Sequence, residues 1–251
     1  MDLNITQEPA GHTAQGLPLS LFTLRNRNGL AARISTLGGA LVSLSLPDRH
    51  GHLAEVMAPG DDLGPGIHLL PARGHALHRL AWHAVPLVTD LAVGVRLVSP
   101  GPHAVVACFT LNDANELTLA FESALAPPAT LCLRGCFNLV QEGGVLHHLL
   151  SVQAARCVPA GAAEQAVEGS AWDCRRVRPV AELPGPARYL LDAGAAVPLC
   201  LADPASGRQL ELLTNADSVR LGCCGDPPGL MLEPLAPAAN GLVVWRFSTQ
   251  A

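Results

Sequence analysis

One arginine lies in the middle of an apolar run that is typical of a strand entering a core. Residues 130–139 read TLCLRGCFNL, in which Arg134 follows a leucine and precedes a glycine. Arginine is almost never fully buried unless it is paired. Arg134 therefore either faces water on an exposed strand face or points into a site. In a site, its planar guanidinium could stabilise developing charge or hold a carboxylate or a phosphate.

Other side chains that could carry chemistry form weaker patterns. Among the eight cysteines, Cys132 and Cys136 are four positions apart and Cys223 and Cys224 are adjacent, so neither pair has the C-x2-C spacing of a zinc site. We expect reduced thiols that mostly serve packing, and no metal site. The sequence has no G-x-S-x-G motif and no glycine-rich phosphate loop, and we predict no cofactor.

Composition narrows the class of protein. Hydrophobic residues make up 49% of the 251 residues, which is enough for a sizeable core. The formal charge of -5, without a basic block, argues against nucleic acid as a partner. The N-terminus does not resemble a secretory signal, and no window approaches about 18 uninterrupted apolar residues. We expect a cytoplasmic protein that spans no membrane.

Strands are the elements that must position these residues. Alternation with period two places three sets of apolar residues on single strand faces: Leu117, Leu119 and Phe121; Val42, Leu44 and Leu46; and Leu210 and Leu212. Turn clusters rich in Asn, Asp, Gly and Pro recur along the chain, and no long window keeps a helical period. The pattern predicts an all-β fold, a large antiparallel β-sandwich, with residues 17–251 as one domain and residues 1–16 as a loose leader.

Several segments, in order, resemble the aldose 1-epimerase (galactose mutarotase) family. They are FTLRNRNGLAARISTLGGALVSLSLPDRHGHLAEVMAPGDD, FTLNDANELTLAFES, CFNLVQEGGVLHHLLSVQAARCVP, VEGSAWDCR, DPASGRQLELLTNADSVRL and GLMLEPLAPAAN. Together they cover most of residues 21–247. The resemblance implies the family's antiparallel β-supersandwich, which agrees with the strand prediction.

The resemblance also implies a chemistry and a set of site residues. In the family, a glutamate removes the proton from the anomeric hydroxyl and a histidine protonates the ring oxygen. The glutamate falls on Glu233 within LMLEP, and the histidine position falls on Arg134. A guanidinium, with a pKa above about 12, cannot supply that proton at a useful rate. Arg134 and Asn138, of the retained Phe-Asn-Leu, are predicted to bind substrate; alternatively, Arg134 is only the partner of Glu233.

Three further positions of the family pattern are less well matched. The family's sugar-binding aspartate falls on Ala187, so that carboxylate is expected to be lost. A second family histidine matches His78, with His75 as an equal competitor, and either could be only a rim residue. Arg73 is predicted to be the retained arginine of the family's Arg-x-x-Asn-Arg motif.

Two functions remain open on these residues, with a third as a weaker option. The first is anomer interconversion by ring opening, with Glu233 as base and His78 or a water as acid. The loss of the family's histidine implies that this activity is weak or lost. The second is a non-catalytic carbohydrate-binding or sensor protein on the same fold. The third is other isomerase or lyase-like chemistry on an acidic sugar held by Arg134 and Arg73. The expected partner is a small-molecule sugar or acidic sugar derivative, and a permanent cation at position 134 predicts that a uronate or sugar phosphate binds more tightly than a neutral hexose.

Overall fold

The structure is a computed structural model that describes residues 3–58, 68–71, 77–101, 104–123, 130–140, 143–225, 228–237 and 240–250, with the backbone alone at 68–71, 130–133 and 237. The strands of the first half are β1 (Asn4–His12), β2 (Pro18–Arg25), β3 (Ala31–Ser35), β4 (Ala40–Pro47), β5 (Leu53–Glu55), β6 (His68–Pro71), β7 (His83–Val88), β8 (Ala92–Val98), β9 (Val105–Asn112), β10 (Glu116–Ser123) and β11 (Thr130–Phe137). Those of the second half are β12 (Leu149–Val152), β13 (Arg156–Pro159), β14 (Gln165–Ala166), β15 (Arg178–Pro179), β16 (Ala187–Leu190), β17 (Leu199–Ala202), β18 (Arg208–Thr214), β19 (Ser218–Cys224), β20 (Gly229–Pro237) and β21 (Asn240–Thr249). Short 3-10 turns cover Leu77–Arg79, Val145–His147 and Val180–Glu182.

The described strands form three antiparallel sheets. The orders are β1-β2-β3-β4-β5, then β15-β12-β17-β18-β21-β10-β9-β8-β7, then β14-β13-β16-β19-β20-β11-β6. Apolar side chains of all three sheets meet in one core, for example Leu44, Leu210 and Leu232. The prediction of an all-β antiparallel sandwich is confirmed. Within the described part of the chain, no helix has the length and apolar character needed to cross a membrane.

Period-two alternation predicted the buried faces of β10 and β18 correctly, and that of β4 only in part. On β4, Leu44 and Leu46 are buried as expected, but Val42 is not, and Leu41 takes its place in the core. The register of β3 against β4 shifts at this point, which marks a β-bulge. A bulge adds one residue to one strand and so moves the following side chains to the other face.

The N-terminal segment is not the loose leader that the sequence predicts. Residues 4–12 form the edge strand β1, which pairs along its length with β2. Its side chains are almost all exposed, because both faces of the segment are polar. The backbone ladder holds this strand, aided by an ion pair of 2.6 Å between Glu8 and Arg33. Periodicity cannot reveal a strand that has no apolar face.

A buried cation and a buried imidazole hold the chain where β11 ends. Arg208, 3% exposed, donates to the carbonyl oxygens of Leu46, Leu139 and His52 at 2.8–3.2 Å. His148 Nε2 accepts the backbone N–H of Leu139 at 2.9 Å. Hydrogen bonds between two buried polar side chains and the backbone of Leu139 thus hold the chain just after β11.

We expect the stability of the protein to fall as the pH drops below 6.5, partly through His148. Burial lowers the pKa of His148 below its ordinary value of 6.5, against the smaller opposing effect of Asp203. The unfolded chain therefore binds more protons than the folded one, so this contribution is present above pH 6.5 and is lost on acidification. Thermal melting from about pH 7.5 to about pH 5.5 should show a decline that His148→Gln, which keeps an oxygen acceptor, makes shallower. The exposed His83, changed to Gln, is the control; an unchanged slope in His148→Gln would contradict the assignment.

Candidate functional site

A cross-strand row of charged side chains lies on the seven-stranded sheet, on the face turned away from the core. Glu233 of β20 is in register with Arg220 of β19, and Arg220 is in register with Arg188 of β16. On the other side of β20, Arg134 of β11 adjoins Glu233, with an N–O distance of 3.9 Å. Alternation produces this arrangement, since the residues on both sides of Arg188 and of Arg220, and Leu232 before Glu233, are buried in the core. We call Arg134, Glu233, Arg220 and Arg188 the charged row.

Glu233 is the most buried member of the charged row, with 1% of its surface exposed. Its Oε2 accepts a hydrogen bond from Nη1 of Arg220 at 2.9 Å. Its Oε1 lies 3.9 Å from Nη2 of Arg134, which is an ion pair but too long for a hydrogen bond. A buried carboxylate is tolerated when it is paired in this way. Glu233 therefore has two cationic neighbours, and the closer one is Arg220.

The other predicted residues are not brought to Glu233 by the described contacts. His78 lies on the turn Leu77–Arg79, where its Nε2 accepts a hydrogen bond from Nε of Arg79 at 3.2 Å. Its backbone packs so closely on Gly38 that a Cβ there would lie 2.7 Å from the Cα of His78. This close packing fixes the turn against the β3–β4 connection. His78 as acid stays a prediction.

Asn138 supports the loop after β11. It is 7% exposed, its Nδ2 donates to the carbonyl oxygen of Gly143 at 3.0 Å, and its Oδ1 accepts the N–H of Val140. These bonds explain an asparagine at this position without a ligand. Arg73 and His75 lie outside the described residues.

Ala187, where the sequence predicts the loss of the family's aspartate, borders a cavity. Ala187 is 2% exposed, and its methyl side chain supplies no carboxylate. Around it is a cavity of about 240 Å³, lined by residues 158–162 and 186–188 and by Arg220. Because Arg220 also contacts Glu233, the cavity and the buried carboxylate are neighbours. Within the described ranges, no group of three or more His, Cys, Asp and Glu side chains is placed to hold a metal ion.

One pair of cysteines does not follow the expectation of reduced thiols. A disulfide joins Cys136 of β11 to Cys224 of β19, with Cα atoms 6.7 Å apart. The strand β20 lies between them, and Gly229 at its start makes room: a Cβ there would lie 2.7 Å from Sγ of Cys136. The cysteines are 88 residues apart in sequence, so only the strand order brings them together. The expectation is wrong for this pair, whereas Cys108, Cys157, Cys174, Cys200 and Cys223 are free thiols.

Sequence reasoning missed Arg220 and Arg188 as site residues. The signal was present in the alternation of SVRLG and ARYL, which turns both arginines away from the core. That signal does not say which strands are neighbours. Register across β16, β19 and β20 was needed to place Arg220 beside Glu233 and Arg188 beside Arg220.

Comparison with known proteins bears on the fold. The sequence matches no protein-family model and no curated protein. The structure is similar to that of galactose 1-epimerase from Lactobacillus acidophilus, with a TM-score of 0.80, 16% identity and full coverage of both chains. It is also similar to the GalM/aldose epimerase homologue from C. elegans, with a TM-score of 0.73 and 17% identity over 97% of this chain and 100% of that one. The resemblance predicted from the sequence is thus confirmed at the level of the fold: the chain has the β-sandwich fold of the aldose 1-epimerases and galactose mutarotases.

Proposed function

We propose that the protein is an aldose 1-epimerase-like sugar-binding protein in which Glu233 contacts the anomeric hydroxyl and ring opening is slow. The observation that carries the proposal is the buried, arginine-paired carboxylate of Glu233 on the outer face of the sheet. A carboxylate kept in a dry environment with fixed donors is a strong acceptor for a sugar hydroxyl. The similar folds named above, of an epimerase and an epimerase homologue, support a sugar as the ligand.

The two oxygens of Glu233 have different roles in this proposal. Oε2 is occupied by the hydrogen bond from Arg220. Oε1 lies 3.9 Å from Arg134, and we assign it to the anomeric O–H; since Glu233 is buried, the half-buried side chain of Arg134 must move aside for the sugar to reach it. Arg220 thus orients the carboxylate, and Oε1 is the atom that would take the proton when the ring opens.

The slow step follows from the residue at the acid position. Opening the ring requires a proton on the ring oxygen as the bond from that oxygen to the anomeric carbon breaks. The guanidinium of Arg134 can donate a hydrogen bond to that oxygen and so stabilise its developing charge, but it does not give up its proton. No described contact brings His78 to Glu233, so we assign this proton to a water and expect turnover near the spontaneous rate. Binding is therefore the main function, with mutarotation as a residual activity.

Calorimetric titration with galactose and glucose tests the proposal. We expect wild type to bind at least one of them, and Glu233→Gln to bind it about tenfold more weakly, since a charge-assisted hydrogen bond becomes a neutral one. Glu211→Gln is the matched control, because Glu211 is a strand glutamate paired with Arg246 on another sheet. Melting curves of each variant establish that it is folded. Absence of binding of either sugar, or equal affinity in Glu233→Gln and wild type, would refute the proposal.

A further inference from the structure

The cavity beside the charged row has an unusual distribution of charge. Arg188 and Arg220 both line it, and the rest of its wall is formed largely by Val158, Pro159 and Pro186 with neighbouring small residues. At about 240 Å³ it is slightly smaller than the pockets of about 300–1,000 Å³ that hold drug-sized ligands. Both of the charged side chains that line the cavity are cationic, which favours an anion there over a neutral or cationic group.

Arg188 has no anionic partner among the described residues. The described hydrogen bonds and ion pairs include none made by its side chain, whereas Arg220 is bonded to Glu233. Arg188 also lies directly opposite Arg220 in the register of β16 against β19. Like charges in opposite positions on neighbouring strands destabilise a sheet. The charged row thus contains three guanidinium groups and one carboxylate, and Arg188 is at the end that is farther from the carboxylate.

We propose that this cavity holds the anionic substituent of the sugar ligand, a carboxylate or a phosphate ester, between Arg188 and Arg220. The proposal rests on the proposed function, because the sugar ring extends from this anion toward Glu233. Arg188 offers the planar fork that suits both kinds of anion, and Arg220 has donors beyond the one that Glu233 accepts. An anion bound here offsets the repulsion between the two arginines.

This location differs from the one expected from the sequence, where the anion is assigned to Arg134. Glu233 already lies near both Arg134 and Arg220, so the protein itself supplies an anion at that end of the row. The excess positive charge is at the other end, at Arg188. We therefore keep the predicted preference for acidic sugars, but assign it to Arg188 instead of Arg134.

The test is calorimetric titration of wild type, Arg188→Gln and Arg156→Gln with glucose, galactose, glucuronate, glucose 6-phosphate and inorganic phosphate. Arg156 is the matched control, since it lies on β13 of the same sheet and is ion-paired with Glu164. We expect the better of the two acidic sugars to bind wild type at least about tenfold more tightly than the neutral hexoses. Which of the two is preferred distinguishes a uronate from a sugar phosphate as the ligand.

Arg188→Gln should remove this preference, and Arg156→Gln should keep both the preference and the affinity for neutral hexose. Arg188→Gln should also melt no lower than wild type, because it removes a repulsive pair. If neutral hexoses bind and the acidic sugars bind no more tightly, or if Arg188→Gln keeps the preference, the anion site is overturned while the proposed function stands. If inorganic phosphate binds in an Arg188-dependent manner, neither neutral hexose binds and glucose 6-phosphate binds no more tightly than phosphate itself, the anion site stands and the proposed function fails.

Discussion

Replacing Arg134 with histidine is expected to speed the interconversion of sugar anomers by about tenfold to a hundredfold, at or below the lower end of what a general acid contributes. Histidine, with an unperturbed pKa near 6.5, can release a proton to the ring oxygen at neutral pH, whereas the guanidinium cannot. The variant should fold, because Arg220 remains hydrogen-bonded to Glu233 when Arg134 is removed. Polarimetry of freshly dissolved α-glucose and α-galactose measures the effect.

The decisive control for this gain is Arg134→Gln, which removes the same charge without supplying an acid. A gain in the histidine variant alone identifies proton donation as the missing step. Equal rates in Arg134→His and Arg134→Gln would mean that the cation at this position restrains Glu233, and not that an acid is lacking. A fast wild type that Arg134→His inactivates would show that Arg134 is itself part of the catalytic machinery.

Replacing Gly241 with alanine is expected to destabilise the protein strongly. Gly241 of β21 lies opposite Phe121 of β10, and the ring of Phe121, 1% exposed, covers the glycine. A Cβ at position 241 would lie 1.9 Å from Cζ of Phe121. The ring must leave its place in a packed core, which costs about 3 kcal/mol, at the upper end of typical overpacking. For a chain of this size, we expect a fall in Tm of about 6–12 °C.

Thermal melting and chemical denaturation measure this effect, and a second substitution tests its cause. Leu242→Ala, at the next residue, which is 41% exposed, should change stability by less than about 1 kcal/mol. Adding Phe121→Leu to Gly241→Ala should recover part of the loss, because contacting residues are not additive. A Gly241→Ala variant as stable as wild type would mean that the ring of Phe121 does not lie over the glycine.

The fold could be predicted from the sequence wherever a strand has one apolar and one polar face. Leu117 and Leu119 of β10 and Leu210 of β18 are fully buried, as alternation predicts. The prediction failed where alternation is interrupted or absent. Val42 was wrongly predicted to be buried, because a bulge in β4 moves its side chain to the other face. The strand β1 was not predicted, because both of its faces are polar.

The site could be predicted only as far as single residues resemble a family pattern. Glu233 and Arg134 were found in this way, and they are neighbours in the structure. The disulfide between Cys136 and Cys224 and the partnership of Glu233 with Arg220 could not be found, because they depend on which strands are adjacent. The segment of Arg73 and His75 lies outside the described residues, so their roles stay predictions.

The sequence by itself determined the class of fold, the faces of most strands and the presence of a carboxylate within an apolar strand. These are local properties, set by the alternation of side chains along an extended chain. Only the tertiary structure decided that Arg188, Arg220 and Glu233 form one row, since strand order and register are long-range choices made by the packing of the core. Charged side chains of different strands form a site only when those strands are neighbours and their charged residues are in register. The sequence of one strand does not specify either condition.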